Sequence, residues 1–385
     1  MLTPAAAPPS PPEATDSGAA RYRARVAAAL DSLPAAADAG RVWSALGSAG
    51  LLAELYRADA EPVGVRADRL RALLTELDRR DDAGITLSVC VQVASALPLL
   101  LSAGQDLLRP MLDRLLSGDQ LVALAATDAA SAGSDLTGMS TSAELLADRV
   151  VLTGTKTWIT NALTCSEFLV LARHRPGRHF TAFTWILVPA GAPGVQVRGG
   201  AAQAFAGAGI GDVEFDRVEV PLTRVVGRPG RGLASFAQHI TRERLAGAQW
   251  ALAMTTRALD QTRALLRSRS SDGTPLWDNP AVRQRFADAL VRQQMLACLV
   301  IAQEDRLGRT FDATGAAVLK VAATQTAELV LSTCVRLQAA QGYLPGGAVR
   351  LQAEAAVFGI GGGTTDLMLA AIADRAADLL PSRTP

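Results

Sequence analysis

Thr127-Asp128-Ala129-Ala130-Ser131-Ala132-Gly133-Ser134-Asp135 is followed, one short strand later, by Gly154-Thr155-Lys156-Thr157-Trp158-Ile159-Thr160-Asn161-Ala162. The first segment is a hydroxyl-rich loop of small residues. Small side chains let backbone approach an anion, and Ser and Thr hydroxyls and amides donate hydrogen bonds to phosphate oxygens. Read alone, such a loop is more often an ordinary polar turn. What changes its meaning is the Trp158-Ile159-Thr160 triplet on the strand that follows, a flat ring and a hydroxyl placed close to the loop.

Outward from this pair, the chain divides into three parts. Residues 21–120 carry apolar residues at three- and four-residue spacing over Ala27 to Leu33, Val42 to Leu55, Ala67 to Arg80 and Leu107 to Leu116, which predicts helices. Residues 121–230 change character. Val150-Val151-Leu152, Phe168 to Leu171, Thr181 to Val188, Val195-Gln196-Val197, Val213-Glu214-Phe215 and Val218-Glu219-Val220 are short β-rich runs between turns, which predicts an antiparallel β-domain, sandwich or barrel. Residues 231–385 are helical again, with Leu233 to Arg269 long enough for a single helix, followed by Ala281 to Leu307, Ala316 to Gln341 and Gly347 to Ala356. That order describes an α+β protein whose last third is a four-helix bundle.

Composition narrows the function classes. Among 385 residues, 49% are hydrophobic, enough for a large core, and the net charge of +1 gives no composition-based case for nucleic acid or an anionic membrane. Cys90, Cys165, Cys298 and Cys334 are far apart with no CxxC pair, and no histidines have metal-ligand spacing. The chain therefore reads as a cytoplasmic protein with reduced thiols and no metal. Residues 1–20 are rich in Ala and Pro without a basic or apolar signal region, and read as a disordered leader. Gly84 to Gln105 is uncharged, but Pro98, Gln92 and its Ser and Thr residues favour a buried helix over a membrane span, and no second span is expected. Gly207-Ala208-Gly209-Ile210-Gly211-Asp212 leads into a strand rather than a helix, so it is a β-loop and not a dinucleotide turn.

Over residues 40–378 the chain resembles the acyl-CoA dehydrogenase superfamily. Lys156 to Asn161 matches its Lys-x-Trp-Ile-Thr-Asn, and Thr127 to Asp135 resembles its Thr-Glu-Pro-x-Ala-Gly-Ser-Asp loop, with Asp128 for Glu, Ala129 for Pro and one extra residue. Phe215 to Pro221 and Val226-Gly227 resemble the end of its β-domain. The resemblance implies FAD as cofactor, with Thr127, Ser134, Trp158 and Thr160 at the flavin, the indole covering the isoalloxazine. It also implies a homo-oligomer, dimer or tetramer, in which a neighbour's Arg reaches the flavin phosphates. Arg269 is the residue the resemblance offers for that role, against a reading as a surface helix arginine, since its Arg-Ser-Ser-Asp-Gly context replaces the usual Phe. Gln338 and Gly342 resemble a Gln-x-x-Gly-Gly motif in which Gln341 replaces the first Gly, and Thr364 and Asp366 complete the implied cofactor set.

The implied catalytic base is displaced. Where most of the family has Glu before Gly-Thr, this chain has Ile360-Gly361-Gly362-Gly363-Thr364-Thr365-Asp366, and Gly362 cannot take a proton. A minority of the family, similar to isovaleryl-CoA and long-chain acyl-CoA dehydrogenases, places the Glu before an Arg on another helix. Glu243-Arg244 stands there. The resemblance thus implies Glu243 as base, Gly362 as a backbone donor to the thioester carbonyl and Arg244 at the substrate. The expected reaction is α,β-dehydrogenation of a thioester of coenzyme A or of an acyl or peptidyl carrier protein, with the electron acceptor open. A flavin-dependent oxidase or monooxygenase and a non-catalytic flavoprotein remain alternatives on the same scaffold.

Overall fold

The computed structural model describes residues 17–57, 64–133, 135–200 and 204–380. Its first part holds helices α1 (Ser17–Asp31), α2 (Ala39–Ser48), α3 (Ala67–Arg79), α4 (Ala83–Val91), α5 (Leu97–Ser102) and α6 (Arg109–Leu116), and the short strands β1 (Tyr56–Arg57) and β2 (Gly64–Val65). α1 starts inside the expected leader. Tyr22, Val26 and Leu30, one per turn, are buried on it, and that apolar stripe carries the helix back to Ser17. Residues 1–16 lie outside the described residues. Asp38 and Asp82 cap α2 and α4 by accepting from the amides of Arg41 and Ile85.

The uncharged stretch from Ala83 to Ser102 is buried, as its polar residues implied. It is interrupted by a π-turn, Gln92–Ala96, just before Pro98. Proline has no N–H to return to the preceding turn, and the wider turn absorbs the missing bond. Gln92 uses its side-chain amide to pair with the backbone of Val122, so the turn is tied to the β-domain. The expectation of a single candidate span needs correction. Ala313–Tyr343 also meets the length and hydropathy of a span, because the interior helix of a bundle is apolar on most sides.

The middle part contains β3 (Val122–Ala125), β4 (Ser142–Leu145), β5 (Arg149–Ile159), β6 (Glu167–Arg173), β7 (Phe183–Pro189), β8 (Val195–Gly199), β9 (Gly211–Pro221) and β10 (Val225–Val226). They bond in the order β10-β7-β6-β4-β5-β9-β8, antiparallel except where β6 meets β3 and the end of β4. The two expected runs 213–215 and 218–220 form the one strand β9. Asp216-Arg217 is a bulge in its pairing with β5, with Arg217 at φ 47°, and not a turn. The Gly207 to Gly209 loop leads into β9. It passes so close to α4 that a Cβ on Gly84 would lie 1.8 Å from the Ala206 carbonyl oxygen, so only glycine fits.

The last part is built on α7 (Gly232–Ser268), α8 (Pro280–Arg309) and α9 (Ala313–Gln338), with a small hairpin of β11 (Ser270–Ser271) and β12 (Thr274–Pro275) after α7. The fourth bundle position is shared by α10 (Ala348–Ala355) and α11 (Thr365–Ala373), both packed on α9, before the short α12 (Ala376–Leu379). α3 joins this bundle through ion pairs of Arg257 with Asp78 and Arg71 with Glu304, and Gln249 donates to the Ala67 carbonyl. Those ties hold α7 and α8 against α3.

Candidate active site

Asp128, in place of the family's Glu, lies inside the β-domain and bridges to Lys156. Six donors converge on its carboxylate: the amides of Ala130, Ser140 and Thr141, the hydroxyls of Ser140 and Thr141, and Lys156 Nζ at 3.5 Å. Burial pushes this carboxyl up, but the Thr141 and Ala130 hydrogen bonds and the Lys156 charge outweigh it and hold it well below the usual range. Burial lowers the Lys156 ammonium to about 8 against the pull of Asp128. The pair is fully protein-bound, so it shapes the 127–133 loop and leaves the loop's own hydroxyls free.

Thr127, Ser131 and Thr160 are half-buried, and none of their hydroxyls bonds another described residue. Ser134 lies outside the described residues. Trp158 is 66% exposed at φ 57°, a conformation costly for an aromatic residue (about 1–3 kcal/mol), and the bulge between Lys156 and Ile159 turns it out of the strand. Next to it, buried Asn161 accepts from the Ser88 hydroxyl and donates to the Ser88 carbonyl, clamping this corner to α4. An exposed, strained indole beside three uncommitted hydroxyls and a loop of small residues is the donor set and flat surface that a flavin with phosphates requires. The residues present fit FAD.

The second half of the site is a cleft lined mostly by apolar groups, among them Leu87, Val91, Ala248, Trp250, Ala323 and Phe358, with Glu243, Arg244 and Lys320 grouped on its wall. Glu243 accepts from the Ser95 hydroxyl at 2.8 Å. Burial raises its carboxyl above the ordinary glutamate value, opposed by Ser95, the charges of Arg244 and Lys320, and the Gly362 amide. Arg244 Nε donates to the Gly362 carbonyl at 3.0 Å. Gly362 sits at φ +70°, and a Cβ placed on it would lie 3.6 Å from Glu243 Oε1. The carboxylate missing from position 362 is thus replaced, in space, by one from α7.

Other expected residues fall elsewhere. Gln338 spends its amide inside the bundle, donating to Thr262 and accepting from the Ala348 amide, with Gly342 packed against its side chain. Thr364 caps α11, accepting from the Leu367 amide, and Asp366 is exposed in that helix's first turn. Arg269 is exposed just past the end of α7, about 39 Å along that helix from Glu243.

Three groups escaped the sequence reading. Ser95 reaches Glu243 from the π-turn. Lys320, buried on α9, donates to the Phe358 carbonyl at 2.6 Å, and burial and Arg244 lower it to about 8 against the pull of Glu243. Arg242 is a buried cation whose Nη1 donates to His239 Nδ1 at 3.0 Å while Nε and Nη2 find no partner among the described residues. Burial, then the Arg242 charge, takes His239 down to about 3. The lone lysine in the otherwise uncharged run Ala313 to Ala327 was a usable signal, because a buried cation needs an acceptor. Nothing in the local sequence marks Ser95.

An apolar cleft with a raised carboxyl on its wall, together with a surface fit for FAD, describes a flavoprotein site for an apolar substrate. Residues 123–218 match the model of the acyl-CoA dehydrogenase middle domain, and residues 230–377 that of the acyl-CoA dehydrogenase C-terminal domain. The chain is 30% identical to an acyl-[acyl-carrier-protein] dehydrogenase MbtN of Mycobacterium sp. (strain MCS), over 78% of this chain and 77% of that protein. It is 28% identical to a cyclohexane-1-carbonyl-CoA dehydrogenase of Geobacter metallireducens, over 70% and 71% respectively. The fold is that of butyryl-CoA dehydrogenase from Megasphaera elsdenii, with a TM-score of 0.85 at 19% identity, covering 93% of this chain and 98% of that one. The chain belongs to the acyl-CoA dehydrogenase family, and is an FAD-dependent oxidoreductase acting on acyl thioesters.

Proposed function

We propose that the acyl group is presented as a thioester of an acyl carrier protein and that Glu243 removes its α-proton. One observation carries the choice of base. The Glu243 carboxylate lies 3.6 Å from where a side chain on Gly362 would begin, on the wall of the apolar cleft. The raised carboxyl suits a general base working near neutral pH. Gly362, whose amide now faces that carboxylate, donates to the thioester oxygen as enolate charge develops. Thr127, Ser131, Trp158 and Thr160 hold the cofactor. FAD, when bound, supplies the acceptor for the β-hydride. Carrier protein is favoured over coenzyme A by the name of the relative at 30% identity.

The decisive experiment is anaerobic bleaching of the bound flavin by butyryl, octanoyl and palmitoyl thioesters of acyl carrier protein and of coenzyme A. Wild type should bleach, and Glu243→Gln should bleach about 10²–10⁴ more slowly while retaining FAD. A Glu243→Gln enzyme that bleaches at the wild-type rate removes Glu243 from the mechanism.

The same reading includes a homo-oligomer, a dimer or tetramer. Arg269 lies too far along α7 to serve its own chain's cleft, and Val291, Met295, Cys298 and Ile301 expose an apolar stripe on α8. Arg269→Ala should loosen FAD by about 1–3 kcal/mol if it bonds a neighbour's cofactor phosphate. A monomer in light scattering with tightly held FAD rejects the shared site.

A further inference from the structure

Two surface segments near the start of α7 form a basic patch. The loop His174-Arg175-Pro176-Gly177-Arg178-His179-Phe180 joins β6 to β7, and the turn Arg228-Pro229-Gly230-Arg231 precedes α7. The two touch. Arg175 Nη2 donates to the Thr181 carbonyl at 2.7 Å, and a Cβ on Gly230 would lie 2.8 Å from that carbonyl oxygen and 3.5 Å from Arg175 Nη2. No acidic residue occurs from His174 to Thr184, or from Pro221 to Arg242. Of the four guanidiniums of Arg175, Arg178, Arg228 and Arg231, only Arg178 is paired with a carboxylate among the described residues, that of Asp135. Arg228 and Arg231 are exposed, and neither side chain pairs with a described residue. Phe180, 52% exposed and stacked on His179, stands among them. In a chain of net charge +1, this is a local excess and not a general property of the surface.

The patch lies where a carrier arm must leave. On α7 the acyl cleft is lined by Glu243, Arg244, Gly247, Ala248 and Trp250, running away from the helix start. An acyl chain in that cleft leaves its thioester at Glu243, so the arm beyond the sulfur runs the other way, toward Gly232. Arg231 is twelve residues before Glu243, about 18 Å at the helical rise, a span that an extended phosphopantetheine arm covers. The geometry points to this patch as the docking surface for an acyl carrier protein, with Arg228 and Arg231 meeting acidic residues around the carrier's phosphopantetheinylated serine and Phe180 as the apolar anchor. The inference rests on the carrier-protein reading above. Charges at such a rim act on encounter and specificity more than on chemistry.

The test is the double reversal Arg228→Glu/Arg231→Glu, with the milder Arg228→Gln/Arg231→Gln beside it in case the reversal folds poorly. Both are checked for FAD content and melting temperature. Octanoyl acyl carrier protein, octanoyl-CoA and octanoyl-pantetheine are compared by kcat/KM, and binding of the unacylated holo-carrier is measured by calorimetry. Reversal should lower kcat/KM for the carrier thioester by about 10- to 100-fold at low salt, with the deficit shrinking as salt rises, and weaken holo-carrier binding alike. Octanoyl-pantetheine, which has neither carrier nor phosphate, should be turned over as by wild type. Equal losses on carrier and CoA thioesters would mean that the patch reads phosphates, and would overturn carrier docking here. Unchanged carrier kinetics and binding would overturn it too. A wild-type enzyme that uses the CoA and pantetheine thioesters but neither uses nor binds the carrier defeats the carrier-protein reading itself, and the docking surface with it.

Discussion

Asp128 in the β-domain and Glu243 on α7 are both carboxylates taken out of water near a lysine, and each lysine, Lys156 and Lys320, is lowered to about 8. Their protonation nonetheless goes opposite ways. Asp128 receives six hydrogen-bond donors and is held well below the usual carboxylate range. Glu243 receives two, the Ser95 hydroxyl and the Gly362 amide, faces an apolar cleft and is raised. Burial disfavours both anions. The number of donors aimed at the oxygens decides which carboxyl is held below the usual range and which is raised. A nearby cation alone does not separate the two cases.

Amide replacement at each site gives the largest expected contrast. Glu243→Gln should remove proton abstraction, as set out above, while leaving the fold intact. Asp128→Asn should instead leave the proton step in place and destabilise the chain by about 3–5 kcal/mol, the cost of breaking a buried pair by removing one partner. Urea melts then carry a sign. Because folding lowers the Asp128 carboxyl, its contribution is fully present above the unfolded value of about 4. It is lost as pH falls from there through the lower folded value. The stability gap between wild type and Asp128→Asn should therefore be widest at neutral pH and close in acid. A gap that persists in acid would mean that Asp128 acts by shape and not by charge.

Smaller changes should move Glu243 without abolishing it. Ser95 and Lys320 both favour its ionised form, Ser95 more strongly. Ser95→Ala and Lys320→Met should each raise the Glu243 carboxyl further. The acid limb of kcat/KM, where activity falls as Glu243 protonates, would then move to higher pH, more for Ser95→Ala than for Lys320→Met. Thioester titrations monitored by flavin absorbance across pH would check this. An acid limb that stays put in both variants would show that some other group titrates there.

Much of the architecture was legible because it depends on local periodicity. Apolar residues at helical spacing and short β-branched runs delimited the three parts, and α7 begins one residue before the expected Leu233 and ends one before the expected Arg269. Errors came where a local break had a tertiary cause. Asp216-Arg217 looked like a turn and is a bulge, because β5 continues to pair on both sides of it. Ser17 to Ala20 looked like leader and form the first turn of α1, because Tyr22, Val26 and Leu30 bury against the core. At the site, the loop, the Trp158-Ile159-Thr160 triplet, the glycine at 362 and the glutamate at 243 were all visible as residue identities. That Asp128 serves Lys156 and the loop backbone was not, since a lone Asp for Glu says nothing of what surrounds it.

By itself the sequence determined which chemical groups exist and which elements carry them: a long helix bearing Glu243, a glycine where a base is usual, a hydroxyl-rich loop and an indole beyond a strand. Periodicity and residue type are local properties, and the chain states them directly. Only the tertiary structure decided the environment of each group. Ser95, Glu243, Lys320 and Gly362 come from a π-turn, two bundle helices and a loop, and their convergence gathers contacts between residues far apart in sequence. Acidity depends on that three-dimensional count of donors, charges and excluded water, which is why two carboxylates of similar intrinsic strength are shifted downward in one domain and upward in the other.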